Sequence, residues 1–350
     1  MIIDVVKTFA PAIVSFVLGL IITPYVSKFL TAHMFWKKKS VIVTTDGRAA
    51  SITQSLHGDE ERRTPRMGGM VVWASALITI ILFWFGAQIN EGLFDKLNFF
   101  SRNQTWLPVF TLIVGALVGL LDDYWSVSEI YDQKAGGLSF KKRLIMVTTV
   151  AIIGAWWFYS KLEVTAIIVP FFGVLNIGWL FIPFFIIVML GTYSGGVIDG
   201  LDGLSGGVFA IIFSAYGIIA YLGNQIDLAA FCFVLVGALL AFLWHNIPPA
   251  RFFMSETGIM ALTMTLAVVA FLTQQVLILP IIASTLVISS ASSSIQLLSK
   301  KFRDGQKVFL VAPVHHHFQA KGWPASTVVM RYWIIGVISA IVGIVIVLLG

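Results

Sequence analysis

Ten stretches of about twenty mostly apolar residues recur along this chain, and they limit its architecture more than any other feature. They lie near residues 9–30, 68–88, 106–121, 143–161, 176–194, 204–222, 228–246, 257–273, 275–298 and 328–349. A helix rises roughly 1.5 Å per residue, so about twenty residues cross the roughly 30 Å hydrocarbon core of a bilayer. In that core every backbone N–H and C=O must find a partner within the chain, so the runs are expected to be helices. Hydrophobic residues make up 58% of the chain and charged residues 11%, where soluble domains carry roughly 25% charged. The expectation is an all-α polytopic membrane protein of about ten transmembrane helices, a single domain over residues 1–350.

Charge in the loops sets the orientation. The odd-numbered loops hold seventeen Lys and Arg; the opposite loops hold four, Lys7, Lys96, Arg102 and Lys161. The positive-inside rule then puts the odd loops in the cytoplasm and both termini outside. The net charge of +6 is accounted for by this asymmetry, so no nucleic-acid partner is expected. Cys232, the single cysteine, lies in an apolar run, which excludes a disulfide framework. The first run lacks a small-residue cleavage site and reads as a retained helix. Residues 164–175 are apolar but short and broken by Pro170 and Gly173, so a short external β-hairpin is expected there. Pro280 and the run Ser289–Ser294 interrupt the ninth span, which is expected to bend.

Seven carboxylates flank apolar runs: Asp46, Asp122, Asp123, Asp199, Asp202, Glu256 and Asp304. A carboxylate beside hydrocarbon is costly unless solvated, paired or metal-bound. All seven fall on the predicted cytoplasmic face, which points to a divalent-cation site that handles phosphates. Asp122-Asp123 suits Mg²⁺, which takes one or two carboxylates plus water and phosphate oxygens; a solvated helix end is the plainer alternative. The segment Gly195-Gly196-Val197-Ile198-Asp199-Gly200-Leu201-Asp202-Gly203-Leu204 combines acids with glycines that let the backbone approach a ligand. A tight turn alone needs fewer glycines.

Two further segments stand out. His315-His316-His317 lies in a basic loop of about 29 residues, a length that usually signals function or disorder. Three consecutive histidines cannot all face one centre in a helix, so a zinc site built from them alone is not expected, whereas imidazoles can donate to phosphate oxygens. Between Trp244 and Gly258 lie Asn246, Phe252, Phe253 and Glu256. Either phenylalanine can stack on a base or pack at the membrane interface.

Together the segments Thr64–Gly69, Leu121–Tyr124, Asp199–Leu204, Asn246–Gly258 and Val308–Phe318 with Lys321–Pro324 resemble the polyprenyl-phosphate N-acetylhexosamine-1-phosphate transferases over nearly the whole chain. The triple-histidine loop resembles the branch that takes a muramoyl-pentapeptide donor. The resemblance implies transfer of phospho-N-acetylmuramoyl-pentapeptide from its UDP conjugate, UDP-N-acetylmuramoyl-pentapeptide, to undecaprenyl phosphate. Lipid I and UMP would form at the cytoplasmic face of a bacterial inner membrane. It also implies Mg²⁺, contact with membrane lipid and a homodimer. Position by position, Asp122 and Asp123 match an acid pair that contacts metal or deprotonates the nucleophile, and Asp199 matches the next essential acid. Asp202 and Phe253 match uridine-contacting positions, Asn246 a polar site residue, and His315, His316 and His317 the loop that meets phosphates or sugar.

Four positions depart from the family pattern. Gly196 and Tyr193 stand where two asparagines are usual, Ser126 where a lysine is common, and Glu256 at the metal-binding aspartate. Two other readings stay open on these residues: a related transferase with another UDP-N-acetylhexosamine donor, and a catalytically silent scaffold of the same fold.

Overall fold

The computed structural model describes residues 2–36, 64–89, 92–127 and 138–350; Asp46 and the basic residues of 37–63 and 128–137 lie outside the described residues. The elements run α1 (Ile2–Ala32), α2 (Gly69–Ile89), a short α3 (Leu93–Leu97), α4 (Trp106–Val127) and α5 (Phe140–Lys161). A hairpin of β1 (Ala166–Val169) and β2 (Gly173–Asn176) follows, then α6 (Phe181–Ser194), α7 (Leu204–Leu222), α8 (Ile226–Asn246) and α9 (Ser255–Leu272). The chain closes with α10 (Leu279–Ile282), α11 (Ser284–Phe302), α12 (Val314–Ala320) and α13 (Ala325–Leu349). Among the described residues nine helices are long and apolar enough to cross a bilayer, and there are ten if the bent pair around Ala283 counts as one span. Nine to ten of the expected spans, and the hairpin, are therefore present.

The differences from expectation lie at the ends and breaks. α4 continues to Val127, so Asp122 and Asp123 sit within the helix and are buried, not beyond its end as solvated stops. The ninth span bends by 80°, but neither of the expected interrupters makes the break. Pro280 sits in the first turn of α10, where its missing N–H costs nothing. The serines stay inside α11, with Ser289 Oγ donating to Thr285 O at 2.9 Å and Ser292 Oγ to Ser289 O at 2.7 Å. The break falls at Ala283, which ends one helix and starts the next. The long histidine loop also contains a helix of its own, α12.

Close helix packing comes from small residues, as expected where lipid gives no hydrophobic drive between helices. A Cβ at Gly115 of α4 would lie 2.8 Å from the Met260 carbonyl oxygen of α9, and one at Gly119 would overlap the Glu256 carbonyl. Gly237 lets α8 meet the Ala12 carbonyl of α1 in the same way. α9 is the central pillar, 89% buried over its apolar window, whereas α1 and α13 are 22% buried and form the periphery.

The bundle has two unlike ends. Lys7 of α1 pairs with Asp227 of α8 at 2.5 Å, and Gly350 lies against Pro170 and Phe171 of the hairpin. Both chain ends and the hairpin thus occupy one end. The C-terminal ends of α4 and α8 and the N-terminal ends of α5, α7 and α9 form the other.

Candidate active site

The first turn of α9 organises the acids. A helix N-terminus leaves its first N–H groups without intrahelical partners and carries partial positive charge. Here those donors go to carboxylates from distant segments. Ser255 N–H donates to Asp199 Oδ2 at 2.8 Å, and Thr257 N–H and Oγ–H donate to Asp123 Oδ2 at 2.8 and 2.7 Å. Ser255 holds a φ of +58° to make the turn, a region that a residue with a side chain seldom adopts. Asp199 is further fixed by the Ser205 hydroxyl at 2.7 Å. Burial pushes its carboxyl above the ordinary carboxylate range, and the Ser205 and Ser255 donors pull it back down.

Two arginines complete the cluster. Arg143, in the first turn of α5, donates from Nε to Asp122 Oδ1 at 3.1 Å, and its Nη2 lies 3.0 Å from Asp122 Oδ2. Its Nη1 donates to Glu256 Oε1 at 2.6 Å. Leu138 N–H adds a 2.6 Å bond to Asp122 Oδ1. Arg66 lies 3.4 Å from Asp123 Oδ1. Sequence reasoning counted Arg143 only as a topological charge. The signal available was its place near a helix N-terminus, where a cation is disfavoured unless acids surround it. Thr257 and Ser205 were missed because a hydroxyl carries no signal in a chain with this many Ser and Thr.

The glycine segment and the histidine helix meet directly. A Cβ at Gly200 would lie 2.5 Å from His315 Nε2 and 2.8 Å from His316 Nε2, so only glycine permits this contact. His315 and His316 are buried with rings 4.4 Å apart, and His316 Nδ1 lies 2.8 Å from Gln319 Oε1. His317 turns away from this pair; its Nδ1 accepts the Leu310 N–H at 3.1 Å. Withdrawal from water, with the Lys321 ammonium nearby, holds its imidazole below the ordinary histidine range. Gln296 of α11 anchors the strap before α12, accepting from Val308 N–H and Phe309 N–H at 3.0 Å each and donating to Phe309 O at 2.8 Å.

Asn246 and Asp202 brace the loop beside the acids. Asn246 accepts Gly203 N–H and donates to Phe252 O, both at 2.9 Å, while Asp202 Oδ2 accepts Ala250 N–H at 3.0 Å. Phe252 is buried against Phe242 and His245. Phe253 is half-buried and exchanges backbone bonds with Pro65 and Gly68 at 2.8 Å each. Asp304 stays in an exposed turn.

Mg²⁺ takes free carboxylate oxygens in near-octahedral geometry. Both oxygens of Asp122, Asp123 and Asp199 accept hydrogen bonds or face a guanidinium, and Arg143 lies between Asp122 and Glu256. Among the described residues no three His, Cys, Asp or Glu side chains converge as a ligand set. The residues in this arrangement do not fit the ion that the resemblance implies.

A polytopic helical bundle with acids, arginines and histidines gathered at one end accords with the match found for residues 105–274, which is to Glycosyl transferase family 4. Over nearly its full length the chain is similar to a phospho-N-acetylmuramoyl-pentapeptide-transferase of Pelagibacter ubique, 34% identical across 94% of this chain and 89% of that protein. A protein of the same name from Chloroflexus aurantiacus is 32% identical, covering 97% of this chain and 89% of its own length. One from Ruegeria pomeroyi is 36% identical, covering 80% and 79%. The chain belongs to the phospho-N-acetylmuramoyl-pentapeptide-transferase family.

Proposed function

We propose that this protein transfers phospho-N-acetylmuramoyl-pentapeptide from UDP-N-acetylmuramoyl-pentapeptide to undecaprenyl phosphate, giving lipid I and UMP. A phosphate oxygen of the lipid attacks the β-phosphorus of the donor. The bond from that phosphorus to the bridging oxygen breaks, and the electron pair leaves with UMP. The end of the bundle that carries Asp122, Asp123, Asp199 and Glu256 faces the cytoplasm of a bacterial cell, where the seventeen loop cations also fall. Both chain termini then face outward.

The observation that carries this reading is the seating of the histidine helix on Gly200, beside Asp199. It joins phosphate-binding imidazoles to acids from three other segments at one site. His315 and His316 meet the donor's phosphates or sugar. Asp202 and Phe253, with Asn246 holding their loop, receive the uridine. Asp122, Asp123 and Asp199 stand where the lipid phosphate reacts, and Arg66 lies 3.4 Å from Asp123. Electrostatic preorganisation of this kind is the main resource for such a displacement.

The test is UMP release from UDP-N-acetylmuramoyl-pentapeptide by the detergent-purified protein with undecaprenyl phosphate, beside Asp199→Asn. Release that needs both substrates and is lost in the variant is the expected result. Release from UDP-N-acetylglucosamine but not from the muramoyl donor would replace the donor, and no release from either would overturn the reading.

A further inference from the structure

Arg143 uses all three of its guanidinium nitrogens on the acid cluster. Nε and Nη2 form a two-point contact with Asp122, and Nη1 reaches Glu256 at 2.6 Å. The Arg143 side chain is 23% exposed and that of Asp122 is 1% exposed, so the pair is held largely away from water. A guanidinium is planar, has five donors and stays charged in proteins, which suits it to bridging two carboxylates for good.

Charge counting around the site points the same way. Asp122, Asp123, Asp199 and Glu256 bring four negative charges; Arg143 and Arg66 bring two positive ones. Part of the remainder faces the N-terminus of α9, worth about half a positive charge, through Ser255 N–H and Thr257 N–H. The acids are therefore balanced in part by groups the chain carries itself, and most directly at Asp122 and Glu256, which share Arg143. One of the positions that depart from the family pattern, Glu256, contacts Arg143 directly, and its extra methylene lengthens its reach. Another, Ser126, leaves that end of α4 without the usual cation, and Arg143 supplies one from the next helix.

We propose that Arg143 is the resident counter-cation of this site and stands where a divalent ion would otherwise balance Asp122 and Glu256. The proposal rests on the transferase reading for which groups form the site, but not for its test. An ion and the guanidinium cannot share the gap: Arg143 must swing out before Asp122 can offer an oxygen to a metal. Asp122 and Glu256 then keep their counter-charge without added divalent cation.

The experiment is Mn²⁺ binding to the detergent-purified full chain, read from loss of the free-ion electron paramagnetic resonance signal. Thermal unfolding in EDTA and in Mg²⁺ accompanies it. Wild type is expected to show no saturable Mn²⁺ site at submillimolar ion and the same unfolding midpoint in both buffers. Arg143→Met, which keeps the apolar stem, is expected to bind Mn²⁺ at least about tenfold more tightly, the scale on which ligand-orienting contacts tune metal sites. Its midpoint should fall in EDTA and recover in Mg²⁺, and adding Glu256→Gln should abolish the gain. A folded Arg143→Met that gains no site overturns the proposal. So does a wild-type site of one ion per chain that Glu256→Gln removes, and this second arm decides even if Arg143→Met does not fold. Absence of UMP release in every buffer overturns the transferase reading and leaves the ion-binding result to judge Arg143 by itself.

Discussion

Gly119 is the point where α4 comes closest to the start of α9, and Gly119→Ala tests how the site is built. The added methyl would overlap the Glu256 carbonyl group and the Thr257 Cα. These are backbone atoms, so no side-chain rotation relieves the clash and the two helices must part. Overpacking of this kind costs about 1–3 kcal/mol. The site feels the same movement. Thr257 N–H and Oγ–H hold Asp123 at 2.8 and 2.7 Å, and a parting of about 1 Å takes both beyond hydrogen-bond range. Losing one hydrogen bond to a charged group costs about 1.5–3 kcal/mol, and a displacement near 1 Å in an active site lowers rates by about a hundredfold. The assay is UMP release together with thermal unfolding in one detergent, with Gly191→Ala as the control. Nothing lies within 4 Å of a Cβ at Gly191, so that variant is expected to keep its rate and gain about 0.5–1 kcal/mol from the better helix former. A Gly119→Ala protein with wild-type rate and an unchanged midpoint would refute the reasoning.

Gln296→Leu removes three hydrogen bonds from the strap at Val308 and Phe309; hydrogen exchange at those two amides is expected to rise while that of α9 stays unchanged. For His317 the sign follows from its depressed pKa. Its contribution is present above the ordinary histidine value near pH 6.5 and is lost as pH falls through the folded value. Protonation of Nδ1 also ends its bond from Leu310 N–H. The His317 titration by NMR should therefore have a midpoint below that of a free histidine, and Leu310 amide exchange, corrected for its intrinsic rate, should increase through the same range.

The spans were legible because a bilayer leaves the backbone few choices: a run of twenty apolar residues must satisfy its own polar groups. The gathering of Asp122, Asp199 and Glu256 at one end followed from loop charge and from alternating helix direction. Their partners were not legible. Glu256 and Arg143 are 113 residues apart, and Thr257 and Asp123 are 134 apart, and no local pattern encodes such a pairing. Apolar content also misplaced the end of α4. A helix continues wherever its buried acids find donors, so the hydrophobic run stops at Leu121 while the helix goes on to Val127. Pro280 misled for a related reason, because proline is harmless in a first turn and disruptive only later.

The enclosure of α9 fixes the order in which this molecule can be completed. Spans enter a membrane one after another and then associate side by side. Until α9 is in place, the carboxylates of Asp123 and Asp199 lack the amides that hold them. The eighth span must then slip between neighbours synthesised before it. The acid cluster is therefore complete only once this helix seats, and chains cut short of Ser255 would lack the amides that hold Asp123 and Asp199.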